Sequence, residues 1–272
     1  MKKVAFVTGA SSGMGEATAV LLSQQGYEVY AAARSTDKMK HLEAFGIHVL
    51  SLDLTQDESI VACVERLLKQ EGRVDVLINN AGYGSYGAVE EVSLDEARRQ
   101  FEVNLFGLAR LTQLILPSMR ENASGRIVNI SSMGGKMYTP FGAWYHATKH
   151  ALEGWSDCLR VETKPFGVKV VIVEPGAIKT PWGEIAAENL RKTSGHGAYA
   201  EMVNQTAHRM EQLYTSDPRT THPEVLAAVI VKAATVKHPK TRYVKGRYAI
   251  PILCIRKWVS DALFDKLIVS MV

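Results

Sequence analysis

Short apolar runs recur along the chain and alternate with longer stretches whose apolar positions repeat every three to four residues. Val4–Thr8 is one such run, closed by Gly9. It suits a strand buried on both faces of a parallel sheet. Ala17, Val20, Leu21 and Leu22 follow at helical spacing as far as Gly26, the expected stop. Val29–Ala33 reads as a second strand, with helical material to about Phe45, and Val49–Leu52 as a third, ending at Asp53. A helix over 56–71 carries Ile60, Val61, Val64, Leu67 and Leu68 on one face. Val74–Ile78 is a fourth strand, and a long helix is expected from about Leu94 to Met119. Arg126–Ile130 is a fifth strand, 143–164 a helix, and Val168–Val173 a sixth strand.

Strand and helix alternate throughout, which predicts an α/β fold. Right-handed crossovers make it a single Rossmann-like, doubly wound parallel sheet with helices on both faces. The alternation lapses after Pro175. Residues 181–221, with Gly195, Gly197 and Pro218, read as a helical, mobile excursion over the site. A helix over 223–237 and a short strand near 242–244 complete the sheet. From Ile255, apolar residues at Trp258, Val259, Ala262, Leu263, Leu267, Ile268 and Met271 predict one C-terminal amphipathic helical tail. It suits docking on the domain, a peripheral membrane surface or a partner.

Composition narrows the classes. Of 272 residues, 46% are hydrophobic, enough for a substantial core, and a net charge of +4 is too small to suggest a nucleic-acid partner. Cys63, Cys158 and Cys254 have no metal-ligand spacing, and neither do His196, His208 and His222. No metal is expected, and the thiols suit a reduced, cytoplasmic setting. The first residues meet glycine too soon for a signal peptide, and no apolar stretch reaches the roughly 18 residues of a membrane span.

The strand ends carry the chemistry. Gly9-Ala10-Ser11-Ser12-Gly13-Met14-Gly15 joins the first strand to the first helix. Glycines there permit a tight turn and let a diphosphate approach the helix N-terminus, where free N–H groups favour an anion. The second strand ends in Ala33-Arg34, with no acid to bind a ribose 2′-hydroxyl. Arg34 can pair with a 2′-phosphate, which favours NADP(H) over NAD(H), although a solvated loop arginine would look the same. Asp53, followed by Leu54, suits either an adenine contact or a helix cap. Tyr145 and Lys149 stand four apart in the helix expected over 143–164, hence on one face. An ammonium near a phenol favours the phenolate and lowers a pKa that is ordinarily about 10. Such a phenol can exchange a proton with a substrate oxygen. Alone, the pair also fits simple surface pairing.

Together, Thr8-Gly9-x-x-x-Gly13-x-Gly15, Asn79-Asn80-Ala81-Gly82, a serine ahead of Tyr-x-x-x-Lys, and Pro175-Gly176 resemble the short-chain dehydrogenase/reductase family over roughly residues 3–245. The resemblance implies a dinucleotide-binding oxidoreductase spanning 1–272 as one domain. It implies hydride transfer between a nicotinamide and a carbonyl or alcohol, and a homodimer or homotetramer. By position, Tyr145 is similar to the general acid/base and Lys149 to the residue that tunes it and holds the nicotinamide ribose. Ser132 resembles the serine that binds the substrate oxygen, and Asn104 the asparagine that supports the lysine through a water. Asn80, Ala81 and Gly82 resemble the segment lining the cofactor. Pro175, Gly176, Ile178 and Thr180 resemble the positions that follow the sixth strand around nicotinamide and diphosphate.

The tail and Arg34-Ser35 are similar to the steroid- and retinol-handling branch, a pointer to an apolar substrate. Met133, Tyr138, Phe141, Trp182 and Tyr199 flank the site as pocket or as core. His146 is expected to point away from the chemistry. Two other functions compete: a non-catalytic NADP(H)-binding sensor and a sugar-nucleotide epimerase or dehydratase. The intact Ser132, Tyr145, Lys149 and Asn104 set disfavours the first, and the Gly-x-x-x-Gly-x-Gly spacing the second.

Overall fold

The computed structural model describes residues 2–271. Seven parallel strands form one sheet: β1 (Val4–Thr8), β2 (Glu28–Ala33), β3 (His48–Ser51), β4 (Val76–Asn79), β5 (Gly125–Ile130), β6 (Val168–Pro175) and β7 (Arg242–Lys245). Their order is β3-β2-β1-β4-β5-β6-β7. The chain therefore reverses its direction of winding between β3 and β4, which opens a crevice beyond the C-terminal ends of β1 and β4.

Alternation along each strand divides the core into two layers. Val7, Ala31, Ile78, Val128 and Val171 face α1 (Gly13–Gln24) and α8 (Pro223–Thr235). Phe6, Ala32, Leu77, Ile127 and Val170 face the other way, against α2 (Asp57–Glu71), α4 (Gly107–Glu121) and α5 (Ala143–Thr163). A one-residue slip in register would send each set to the wrong layer.

The expected long helix is interrupted. α3 (Leu94–Phe101), capped by Ser93 Oγ accepting from Glu96 N–H, leads into a π turn over Glu102–Phe106 before α4. Gly107 lets α4 press on the third strand's exit, because a Cβ there would lie 2.1 Å from the Leu54 carbonyl oxygen. Leu54 is buried in this layer of the core.

The 181–221 excursion is helical, with α6 (Trp182–Ser194), α7 (Ala200–Glu211) and a π turn over Gln212–Ser216. The tail is helical but is two helices, α9 (Ala249–Trp258) and α10 (Asp261–Met271), in place of the single one expected. Val259 is extended, and the Ser260 carbonyl accepts from the N–H groups of Leu263 and Phe264. The break shifts the apolar phase, so Phe264, Ile268 and Ile252 are buried while Trp258 and Leu263 face solvent. Full burial of each such side chain stabilises docking by about 1.5–3 kcal/mol. No helix among the described residues is long and apolar enough to cross a membrane.

Candidate active site

The first loop is shaped by contacts that exclude side chains. Gly9 and Gly13 have φ of +66° and +60°. A Cβ at Gly9 would lie 2.7 Å from Ala81 Cα, and one at Gly15 would lie 2.4 Å from both the Gly9 carbonyl oxygen and Asn80 Nδ2. Asn80 Nδ2 donates to the carbonyls of Thr8 and Gly9 at 3.0 and 3.1 Å, and Thr8 Oγ1 accepts from Asn80 and Ala81 N–H. The Asn80-Ala81 segment thus braces the loop from beneath. Ser12 caps α1 through its backbone alone, so Ser11, Ser12 and the first turn leave N–H groups directed at the crevice. The arrangement fits an anionic diphosphate.

Arg34 is exposed just past β2. Asp53 Oδ1 accepts from Thr55 N–H at 2.9 Å and from its hydroxyl at 2.8 Å. Burial works to raise the Asp53 pKa, but the Thr55 bonds and the charges of Arg34 and Arg99 hold it below the usual carboxylate range. Asp53 closes a turn onto Thr55 ahead of α2, whose N-cap is Gln56, and it lies close enough to Arg34 to feel its charge.

Beyond the loop lies a cleft of about 1120 Å³. It brings together Met14, Asn80, Gly82, Ser132, Tyr145, Lys149, Pro175, Gly176, Ile178 and Thr180. Arg34, Asp53 and Leu54 lie apart from it, at the exits of β2 and β3. Thr180 packs over Gly13, where an added Cβ would meet its methyl at 3.0 Å.

Tyr145 and Lys149 are both buried in α5. The lysine does not depress the phenol in this structure. Burial pushes the Tyr145 pKa up to about 12, and only the Ser132 hydroxyl works against that. Burial also brings Lys149 down to about 8, with Glu153 opposing. Desolvation of the phenol sets the direction, with the Lys149 ammonium 6.0 Å from the ring centroid. Tyr86 and Trp182 supply that desolvation, with ring centroids 5.7 and 5.3 Å from Tyr145, and Tyr214 backs Trp182 at 5.4 Å. Ser132 Oγ accepts from Gly134 N–H at 3.0 Å, which fixes its place at the end of β5.

Asn104 sits in the π turn, where the inserted residue turns its amide inward. Its Oδ1 accepts from Tyr83 N–H at 3.0 Å, and its Nδ2 donates to Tyr83 O at 2.9 Å and Thr148 Oγ1 at 3.1 Å. It joins the strand-four exit to α5. Gly82 lies between Asn104 and Lys149; a Cβ there would be 3.0 Å from Asn104 Oδ1 and 3.6 Å from Lys149 Nζ.

His146 is nearer the site than its helical phase suggested. Its ring lines the cleft, with Nδ1 donating to Gly134 O at 2.9 Å and Nε2 accepting from Thr139 N–H at 3.1 Å. Those two bonds select the neutral tautomer. Burial accordingly holds the His146 pKa down at about 4. The side chain pins both ends of the segment that follows Ser132. Tyr86 and Tyr214 also escaped the sequence reading; neither sits in a motif, and Tyr214 arrives from 69 residues further along the chain. Ile252 and Ile268 bring the tail into the cleft wall. Of the flanking residues, Met133 and Trp182 line the cleft, whereas Phe141 and Tyr199 pack in the core between it and the excursion. Among the described residues no group of side chains could hold a metal ion.

Comparison with known proteins agrees with this geometry. Residues 3–190 match the short chain dehydrogenase family model. A 3-ketodihydrosphingosine reductase from Bacteroides thetaiotaomicron is 37% identical over 97% of this chain and 95% of its own. A short-chain dehydrogenase from Streptomyces avermitilis superposes with a TM-score of 0.82 at 38% identity, covering 98% of this chain and 96% of that one. Actinorhodin polyketide ketoreductase with NADPH superposes with a TM-score of 0.72 at 31% identity, covering 86% and 90%. The sheet order, the glycine loop and these likenesses agree, and the chain belongs to the short-chain dehydrogenase/reductase family of oxidoreductases.

Proposed function

We propose that the chain is an NADP(H)-dependent oxidoreductase that interconverts a carbonyl and an alcohol on an apolar substrate. One observation carries this reading: Ser132, Tyr145 and Lys149 meet in a single cleft beside the glycine loop. When bound, the reduced nicotinamide supplies a hydride to the carbonyl carbon. Negative charge then grows on the carbonyl oxygen. Ser132 donates a hydrogen bond to that oxygen, and Tyr145 transfers its phenolic proton to it. A phenol held near 12 is protonated at neutral pH, the form needed for the reductive direction. Lys149 stabilises the phenolate that forms, and Asn104 holds Tyr83 and α5 in register. The bulk of the cleft wall is apolar, with Met133, Met137, Trp182 and Ile252 among its lining.

Arg34 and the ketoreductase relative solved with NADPH support the phosphorylated cofactor. The 3-ketodihydrosphingosine reductase relative supports a ketone as the reducible group. The test is a panel of apolar ketones and aldehydes with NADPH, read as loss of nicotinamide absorbance. Turnover of one or more is expected. Cofactor binding without consumption across the whole panel would return the reading to a sensor.

A further inference from the structure

The tail helix α9 is apolar on both sides. Its inner side buries Ala249 and sends Ile252 into the cleft wall. Its outer side carries Ile250, Pro251, Cys254, Ile255 and Trp258, spaced i, i+1, i+4, i+5 and i+8 and therefore on one face. All five are exposed, Trp258 to 81% and Ile250 to 58%. A ten-residue helix that merely docks on a domain keeps its outer face polar; this one does not. The cost of leaving such a face in water is relieved only by an occupant.

We propose that this face seats the protein on the surface of an anionic phospholipid bilayer, with the cleft drawing apolar substrate from that surface. Two observations favour lipid over a second copy of the chain. The first is area. One face of a ten-residue helix falls well short of the about 800 Å² per partner of a stable protein interface, whereas a few apolar side chains suffice for interfacial seating. The second is charge. The Lys257 ammonium lies 5.3 Å from the Trp258 ring centroid, at the edge of the apolar face, and among the described residues it has no carboxylate within ion-pair distance. Asp261, the acid nearest in sequence, is engaged by Arg256, and Asp265 accepts from the Tyr138 hydroxyl. A ring at the headgroup level with a free cation beside it is the arrangement that anionic lipid recognises. The purpose given to the seating rests on the apolar-substrate reading above; the seating itself does not.

The full chain is mixed with vesicles of phosphatidylcholine alone or with phosphatidylglycerol and sedimented. Wild type is expected to pellet with the phosphatidylglycerol vesicles, less as salt rises, with a blue shift of emission that Trp258→Phe removes. Ile250→Ser/Ile255→Ser/Trp258→Ser is expected to bind about 10-fold more weakly or worse, given the apolar area forfeited. Its thermal midpoint and its cofactor affinity are expected to stay as in wild type, which separates lost seating from lost folding. Wild type remaining in the supernatant, or equal binding by the triple variant, overturns the proposal. So does a dimer in sedimentation analysis that the triple substitution splits, since that makes the face an interface between copies. None of these readouts uses turnover, so failure of the enzymatic reading would show separately in the carbonyl panel.

Discussion

The Lys149 ammonium donates to the Ile130 carbonyl at 2.9 Å, tying the middle of α5 to the end of the strand that delivers Ser132. Tyr145 lies one helical turn earlier, so phenol, ammonium and serine are held by one rigid corner of helix and strand. Rigid placement of this kind is what differential stabilisation of a transition state requires.

If that corner performs the proton transfer, Tyr145→Phe should lower turnover by about 10²-fold or more, the scale of general acid–base catalysis. Cofactor affinity should change little. Initial rates with the best ketone of the panel and a separate NADPH titration check this. Near-normal turnover by the phenylalanine variant would end the mechanism.

Arg34 is exposed near Asp53, where β2 and β3 open. A guanidinium there should interact with a 2′-phosphate and be indifferent to a 2′-hydroxyl. Arg34→Ala should therefore weaken NADPH by about 10- to 150-fold, in line with a charge-assisted hydrogen bond of about 1.5–3 kcal/mol, and leave NADH almost untouched. Titration of both cofactors gives the ratio; an unchanged ratio removes Arg34 from the assignment.

His146→Leu leaves the Thr139 N–H and the Gly134 carbonyl without partners, a loss of about 1–3 kcal/mol for each buried group. The segment bearing Met133, Met137 and Pro140 should loosen, raising KM more than it lowers kcat. A titration curve adds a second check. The folded pKa of about 4 is below the ordinary 6.5, so the neutral ring's contribution is complete above 6.5 and disappears as pH falls toward 4. Wild type should lose stability across that window relative to the leucine variant.

Glu174 predicts the opposite slope. Burial, then repulsion from Glu153, raises its pKa above the ordinary 4.5, while Arg242 and Lys136 oppose. A carboxyl whose folded pKa is raised contributes its full stability below 4.5 and loses it as pH climbs through the raised folded value. Glu174→Gln should flatten that decline. Denaturant midpoints at several pH values, compared as differences between variant and wild type, isolate each group. A glutamine variant that retains the whole decline would place it elsewhere.

The order of strands and helices was legible because hydrophobic period is a local property, and the runs at Val4–Thr8 and Val168–Val173 each announce a buried strand. The glycine loop was legible for the same reason: tight turns and open helix ends are written in adjacent residues. So was the shared face of Tyr145 and Lys149, which needs only helical geometry. The tertiary structure alone decided the direction of the Tyr145 pKa, because the rings that desolvate it come from Tyr86 and Trp182, tens of residues away on either side. It decided that Asn104 turns inward, through a π turn that no periodicity betrays, and that His146 braces the segment after Ser132. It also decided that the tail breaks at Ser260 and lends Ile252 and Ile268 to the cleft. Burial and hydrogen-bond partnership are sums over neighbours distant in sequence, so a chain read residue by residue contains the parts of this site but not the field they create together.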